Sequence, residues 1–350
     1  MSFGVPEKWV LQLESTFPKP NHSRRNEMRY SYSQVWILVS AIHWVIPFIL
    51  IVWTWRKNYS NWTSWIMQVV LLASYTTFVF LMGTWMFASF YVRYLVVVFS
   101  LAAVIRSFLK IRHLQSPVRL RSWTWIACGA KLLASIILVY FIVGAVRSHF
   151  YDEEPVNLSF PFKNGVYAVY EGGNGRASSL MNYHYGSSTH KGASVNRSMK
   201  YAVDVTKLSM WGNDANGILP KDNAKYAIFN EVLYSPCDGE IFDVADQWDS
   251  HVPFSKKAPY NVGNHIVIKT NNFYVLMGHL QKGSITVKVG DQVKQGQPIA
   301  KAGNSGWTLQ PHTHIQAMKL SPGSFWAAEG LPINFDGKNT VKNTLFFKPK

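Results

Sequence analysis

Two cysteines in 350 residues, Cys128 and Cys237, exclude a disulfide-stapled fold and any CxxC metal or redox pair. A chain without staples needs a hydrophobic core of its own, and about 200 residues are enough to build one. Acidic residues are scarce as well, and unevenly so. Residues 1–150 hold 15 Lys+Arg but only 3 Asp+Glu, whereas residues 151–350 hold 20 and 16. The net charge of +16 suits nucleic acid in principle. Most of the surplus, however, lies between apolar stretches, where basic residues set membrane topology, and no nucleic-acid partner is expected. No secretory signal is expected either. Residues 1–33 are polar and aromatic and lack an apolar run followed by a small-residue cleavage site. They read as an N-terminal tail.

Long apolar runs are plentiful in the first half. Four stretches, 34–55, 62–82, 85–105 and 123–146, reach the length of about 20 residues that a transmembrane helix needs. Trp36, Trp53, Trp55, Trp62, Trp65, Trp85 and Trp123 gather near their ends, as interfacial anchors do. The loop between the third and fourth stretches carries Arg106, Lys110, Arg112, Arg119 and Arg121, and the loop between the first and second carries Arg56 and Lys57. The loop between the second and third carries no basic residue. Placing the basic loops in the cytoplasm puts everything after the fourth span outside the membrane. The basic tail residues Lys8, Lys19, Arg24, Arg25 and Arg29 run against that orientation. Arg93 and Lys131 fall inside spans and read as side chains that snorkel toward the headgroups.

After a linker at 147–160, the texture changes. Sustained helical periodicity is nearly missing, and short apolar runs such as Tyr201–Val205, Ile266–Ile268 and Phe273–Met277 alternate with turn signals at Cys237-Asp238-Gly239, Gly290-Asp291 and Gly303–Gly306. This reads as an all-β module over 161–320, with an extension at 321–350. Within it, His312 and His314 stand two apart, so on a strand they share a face.

The order and spacing of Tyr234-Ser235-Pro236-Cys237-Asp238-Gly239, Gly263-Asn264-His265-Ile266, Gly278-His279-Leu280, Val287–Gln297, Gly303-Asn304-Ser305-Gly306 and Pro311-His312-Thr313-His314 resemble the lysostaphin/LytM-type zinc metalloendopeptidases of bacterial cell walls. Behind the four-helix transmembrane anchor that the apolar runs predict, the resemblance implies an antiparallel duplicated-hybrid-motif fold with one Zn²⁺ in a cleft. It implies Asp204 and His314 as metal ligands, and His279 and His312 as catalytic histidines beside them. Four residues before Asp204, where that family places its first histidine ligand, stands Lys200, whose ammonium cannot ligate a cation. His184, in Asn182-Tyr183-His184, is the favoured replacement; His190 and a site without a third ligand are the alternatives.

The function that the resemblance implies is hydrolysis of peptidoglycan peptide bonds through a zinc-activated water, at the outer face of a bacterial cell membrane. The expected partners are peptidoglycan peptides, the lipid bilayer and a regulatory membrane or cell-wall protein. The competing expectation is a catalytically inactive module that binds peptidoglycan or regulates a partner hydrolase. A third, in which the spans themselves sense a partner, finds no recognisable chemistry in them.

Overall fold

The computed structural model describes residues 41–113, 122–176, 178–188, 194–255, 262–322 and 325–349. The tail, the opening of the first apolar stretch and His190 lie outside these residues.

Four apolar helices form a bundle: α1 (Ile46–Arg56), α2 (Trp62–Met82), α3 (Val92–Ile111) and α4 (Ser122–Arg147). A π-turn at Ala41–Val45 leads into α1. Asn61 caps α2, its side chain accepting the Ser64 N–H at 2.8 Å. Helices α2, α3 and α4 are each long and apolar enough to cross a membrane, while the described part of α1 is shorter. The polar side chains inside the bundle find one another. Trp65 Nε1 donates to Ser107 Oγ at 2.9 Å, Gln68 Nε2 to Thr54 Oγ1 at 3.1 Å, and Thr76 and Ser100 share a bond of 2.9 Å. Such bonds stitch helices together where water cannot satisfy them. Arg93 does not snorkel. It is buried, with its guanidinium 3.8 Å from the centre of the Phe80 ring and 4.9 Å from that of Phe90.

The third apolar stretch is helical only from Val92, because its first residues have another task. Gly83–Tyr91 form a non-helical junction between the bundle and the β-rich module. Trp85 donates Nε1–H to the Val79 carbonyl at 2.9 Å and packs on Trp44, and Trp85, Met86 and Phe90 share one buried cluster with Val79, Ala168 and Leu208. The Phe90 N–H donates to the Gly212 carbonyl at 2.7 Å, and Asn343 Nδ2 donates to the carbonyls of Leu81 and Gly83 at 2.9 and 3.0 Å. Gly83 admits no side chain, since a Cβ there would lie 2.4 Å from the Val79 carbonyl oxygen.

The C-terminal module is built on a nine-stranded antiparallel sheet. Its strands are β1 (Gly165–Glu171), β2 (Val203–Leu208), β3 (Gly239–Ala245), β4 (Asn264–Lys269), β5 (Phe273–Leu280), β6 (Gln292–Val293), β7 (Thr313–Lys319), β8 (Gly330–Leu331) and β9 (Leu345–Lys348). The order is β9-β1-β2-β7-β5-β4-β3-β6, with β8 added to β7. One short pair departs from antiparallel geometry, since Val156–Leu158 runs parallel to Ile333–Phe335. Residues 321–350 are therefore woven in rather than appended: β9 forms the sheet edge on β1, and Ile333, Phe335 and Phe346 enter the core. That core joins Val203, Val205, Ile266, Ile268, Met277 and Ile315 from the inner face to Phe160, which stacks on Phe346 at 4.5 Å.

Candidate metal centre

Pairing of β2 with β7 sets Asp204 directly opposite His314, so both side chains project from one face. On the other flank of β7, the residue opposite His314 is Gly278, where a Cβ would lie 3.1 Å from the Val262 carbonyl oxygen. The next residue, His279, sits in a β-bulge. Asn264 pairs with Leu280 and Ile266 with Met277, so Gly278 and His279 together face one residue of β4. His279 has φ of +63°, a conformation that few non-glycine residues adopt and that re-aims its ring toward the histidines of β7. A second bulge, at Tyr170 in β1, faces the Asp204–Val205 step of β2 and brings the Tyr170 ring to 6.5 Å from that of His312.

His184 comes from the short helix α5 (Tyr183–Ser188) rather than from the sheet. Its Nε2 lies 3.6 Å from Asp204 Oδ2, and its ring stands 5.0 Å from that of His314. One ligand atom each from His184, Asp204 and His314 falls within 4.8 Å of the others, and all three residues are buried. Two imidazole nitrogens and a carboxylate oxygen converging in this way are a donor set suited to Zn²⁺ with one coordination position left open. His312 adds its Nε2 at 3.5 Å from Asp204 Oδ2, and the His279 and His312 rings lie 4.7 Å apart. The structure thus gathers all five sequence-predicted site residues. Lys200 is turned away: its ammonium pairs with Glu329 and lies over the Tyr201 ring at 4.9 Å.

Each imidazole is held by a neighbour to which the sequence reading assigns no role of its own. Asn182 Oδ1 meets His184 Nδ1 at 3.0 Å, and Gln316 Oε1 meets His314 Nε2 at 2.9 Å. The Ser305 carbonyl lies 2.8 Å from His279 Nδ1, and the Gln310 carbonyl 2.8 Å from His312 Nδ1. A carbonyl can only accept, so Nδ1 of His279 and of His312 carries the proton, and in each neutral ring Nε2 holds the lone pair. The Gln310 side chain is fixed in turn by donating Nε2–H to Asp214 Oδ2 at 2.7 Å, while the Asp214 N–H donates to the Met86 carbonyl at 2.9 Å. Only the Asn182-Tyr183-His184 spacing hinted at any of these contacts.

Burial alone would raise the Asp204 carboxyl, but His184, His312 and His314 hold it far below the usual carboxylate range. Burial pushes His184 down to about 4, with His314 and His312 adding to the effect and Asp204 opposing it. Burial likewise holds His279 well below the ordinary imidazole value, reinforced by His312 and His314. Burial lifts Glu171 to about 7 against the pull of Lys342, whose Nζ is 2.8 Å away. His265, which reads from sequence as a cleft-edge or surface strand residue, is buried and bonded to Asp243 Oδ2 at 3.1 Å.

Residues 229–333 match the model of peptidase family M23. The match takes in His279, His312 and His314 but not His184 or Asp204, which reach the site through the fold. Over 102 residues the chain is 32% identical to the peptidoglycan DD-endopeptidase ShyB of Vibrio cholerae, covering 29% of this chain and 21% of that protein. Over 74 residues it is 34% identical to the glycyl-glycine endopeptidase ALE-1 of Staphylococcus capitis, covering 21% of this chain and 20% of that protein. The chain spans about a fifth of the length of these curated relatives. Among solved structures, the catalytic domain of the prophage-encoded M23 protein EnpA of Enterococcus faecalis aligns at 20% identity and a TM-score of 0.25, covering 37% of this chain and 73% of that one.

Proposed function

We propose that this protein is a membrane-anchored zinc metalloendopeptidase that hydrolyses peptide bonds of bacterial peptidoglycan outside the cytoplasmic membrane. The observation that carries the reading is the buried convergence of His184, Asp204 and His314 within 4.8 Å, with two further imidazoles alongside. The similarity to ShyB and ALE-1 supports the substrate class, and the basic loops at the far end of the bundle support the outside placement of the module.

His184, Asp204 and His314 would hold the ion, and bound Zn²⁺ would supply a polarised water at neutral pH and a Lewis acid for the scissile carbonyl. The roles of the remaining groups follow from which nitrogen of each ring faces the site. Neutral His279 offers the Nε2 lone pair and accepts the proton of the attacking water. The Asp204 carboxylate lies 3.5 Å from His312 Nε2 and would balance the charge of a protonated His312 ring. In its charged form it donates Nε2–H to the developing oxyanion and then releases that proton to the departing amine. The Ser305 and Gln310 carbonyls accept the Nδ1–H of His279 and His312 and so orient both rings.

The test uses the full chain purified in detergent. Bound zinc is measured by mass spectrometry, and release of free amino groups from purified peptidoglycan by derivatisation. A correctly folded protein that binds no zinc and releases no amines would overturn the proposal. Zinc binding without hydrolysis would favour the inactive, peptidoglycan-binding alternative.

A further inference from the structure

The β-rich module exposes two large apolar side chains where a soluble domain gains nothing from them. Met210 is 80% and Trp211 72% exposed, at the tip of the turn that follows β2. The turn is closed on itself and is not a floppy excursion. The Ser209 N–H donates to the Asn213 carbonyl at 2.8 Å, the Gly212 N–H to the Ser209 carbonyl at 2.9 Å, and the Trp211 N–H to Ser209 Oγ at 3.1 Å. Its backbone holds the two side chains outward.

The turn is also tied to the end of the bundle. Ser89 Oγ donates to the Trp211 carbonyl at 2.7 Å, and the Phe90 N–H to the Gly212 carbonyl at 2.7 Å. Helix α3 begins two residues later, at Val92. Gly212, at φ of +78°, lies flat against Tyr91, since a Cβ there would sit 2.8 Å from the Tyr91 ring. Tyr91, Tyr94 and Leu95, on the first turn of α3 and just before it, are themselves exposed. The tip carries no exposed charge: Ser209–Asn213 are uncharged, and Asp214 is buried. Phe150, three residues beyond the end of α4, is exposed at the same end of the bundle.

We propose that Met210 and Trp211 form a lipid-seating loop, which rests in the headgroup region of the outer leaflet and holds the β-rich module against the bilayer. The occupant is the membrane because the loop is continuous with the head of a membrane-crossing helix. An indole and a thioether without neighbouring charge also match what the interface accepts. The proposal rests on the reading of the bundle as membrane-spanning, and is independent of peptidase activity.

The experiment uses the full chain with Cys128→Ser and Cys237→Ser, reconstituted in phosphatidylcholine nanodiscs. Nitroxide labels are placed singly at Met210→Cys, Trp211→Cys, Val98→Cys and Val289→Cys. Val98 is exposed within α3, and Val289 is exposed next to β6, at the far end of the sheet order. Collision with oxygen, which concentrates in lipid, is compared with collision with a water-soluble nickel chelate. Labels at 210 and 211 are expected to show a severalfold lower nickel-to-oxygen ratio than the label at 289, approaching that at 98. If 210 and 211 match 289 while 98 is lipid-like, the seating loop is refuted. Protection of 210 and 211 from both reagents would refute it in favour of a protein partner. A nickel-accessible label at 98 would overturn the membrane-spanning reading itself. The two adjacent labelling positions guard against a local packing defect at either one.

Discussion

Asn182 is the residue whose removal should separate ligand orientation from ligand identity. It is fully buried and makes four hydrogen bonds. Its Oδ1 receives the His184 N–H at 3.1 Å and meets His184 Nδ1 at 3.0 Å, while Nδ2 donates to the Gly173 and Ala202 carbonyls at 2.9 and 3.2 Å. Because Nδ2 faces two carbonyls, the amide cannot be flipped, and Oδ1 must be the atom that faces His184. His184 therefore carries its proton on Nδ1 and presents Nε2 toward Asp204. Asn182→Ala removes all four bonds and strands two carbonyls. At about 1 kcal/mol net for each bond, the loss is roughly 4 kcal/mol, concentrated in the arm that carries His184. Outer hydrogen bonds of this kind to a metal-binding imidazole are typically worth 10–100-fold in metal affinity. The assay is zinc affinity by chelator competition, read beside circular dichroism and the unfolding midpoint. The expected result is a folded protein with zinc affinity reduced by about one to two orders of magnitude. A folded Asn182→Ala protein with wild-type zinc affinity would refute the assignment of His184 Nε2 to the metal.

Four further outcomes are expected. His184→Ala should lose stoichiometric zinc, whereas His190→Ala should keep it; the reverse pattern would show that the third ligand comes from the other histidine. His312→Ala should retain zinc while hydrolysis falls by about 10²–10⁴-fold, as for loss of a group that moves a proton; loss of the metal as well would make His312 a ligand. Lys200→His should leave zinc affinity unchanged, because that position points to Glu329 and not into the site; a gain in affinity would show that the backbone there can turn inward. For Asp214, burial lifts the folded carboxyl from 3.8 to about 7 against the opposing Gln310 bond, so the folded state keeps a proton that the unfolded chain has lost. Its stabilising share is then complete below about pH 4 and is lost as pH rises to 7, by about 4 kcal/mol at most. Asp214→Asn should remove that slope, and identical unfolding midpoints against pH in the two proteins would refute it.

Much of the centre was legible because its signals are local. An H-x-H pair on a strand shares a face by geometry alone, and the resemblance carried by Asn182-Tyr183-His184 favoured His184 although 20 residues separate it from Asp204. The supports were not legible, because they depend on register between distant strands. Neither the bulge that turns His279 nor the one that brings up Tyr170 has a local sequence mark; each arises from one extra residue on one strand of a pair. The third span was read from Trp85 because apolar composition does not distinguish burial in lipid from burial in protein. Trp85, Met86 and Phe90 are buried in one protein cluster that joins Val79 of α2 to Ala168 and Leu208 of the β-rich module. Residues 321–350 read as an extension because the resemblance stops short of them, while Ile333, Phe335 and Phe346 among them belong to the core.

These contacts also bear on why the anchor has several helices where one would tether a domain. The bundle braces both arms of the site. Met181, next to Asn182, is buried with Met82 of α2 and Ala145 of α4. Asn174 donates its N–H to the Ser148 carbonyl at 2.9 Å and its Nδ2–H to the Phe150 carbonyl at 2.9 Å, just beyond the end of α4. On the other arm, the Met86 carbonyl holds the Asp214 N–H, Asp214 holds Gln310, and the Gln310 carbonyl holds His312. A single helix could not supply both a helix end beneath His184 and a buried loop beneath His312. Separating the module from residues 41–147 would expose Met181, Ala168 and Leu208 to water and leave the Asp214 N–H without the Met86 carbonyl. Those costs fall on the segments that set the geometry of the five residues, so the helices act as part of the scaffold of the centre as well as its attachment to the membrane.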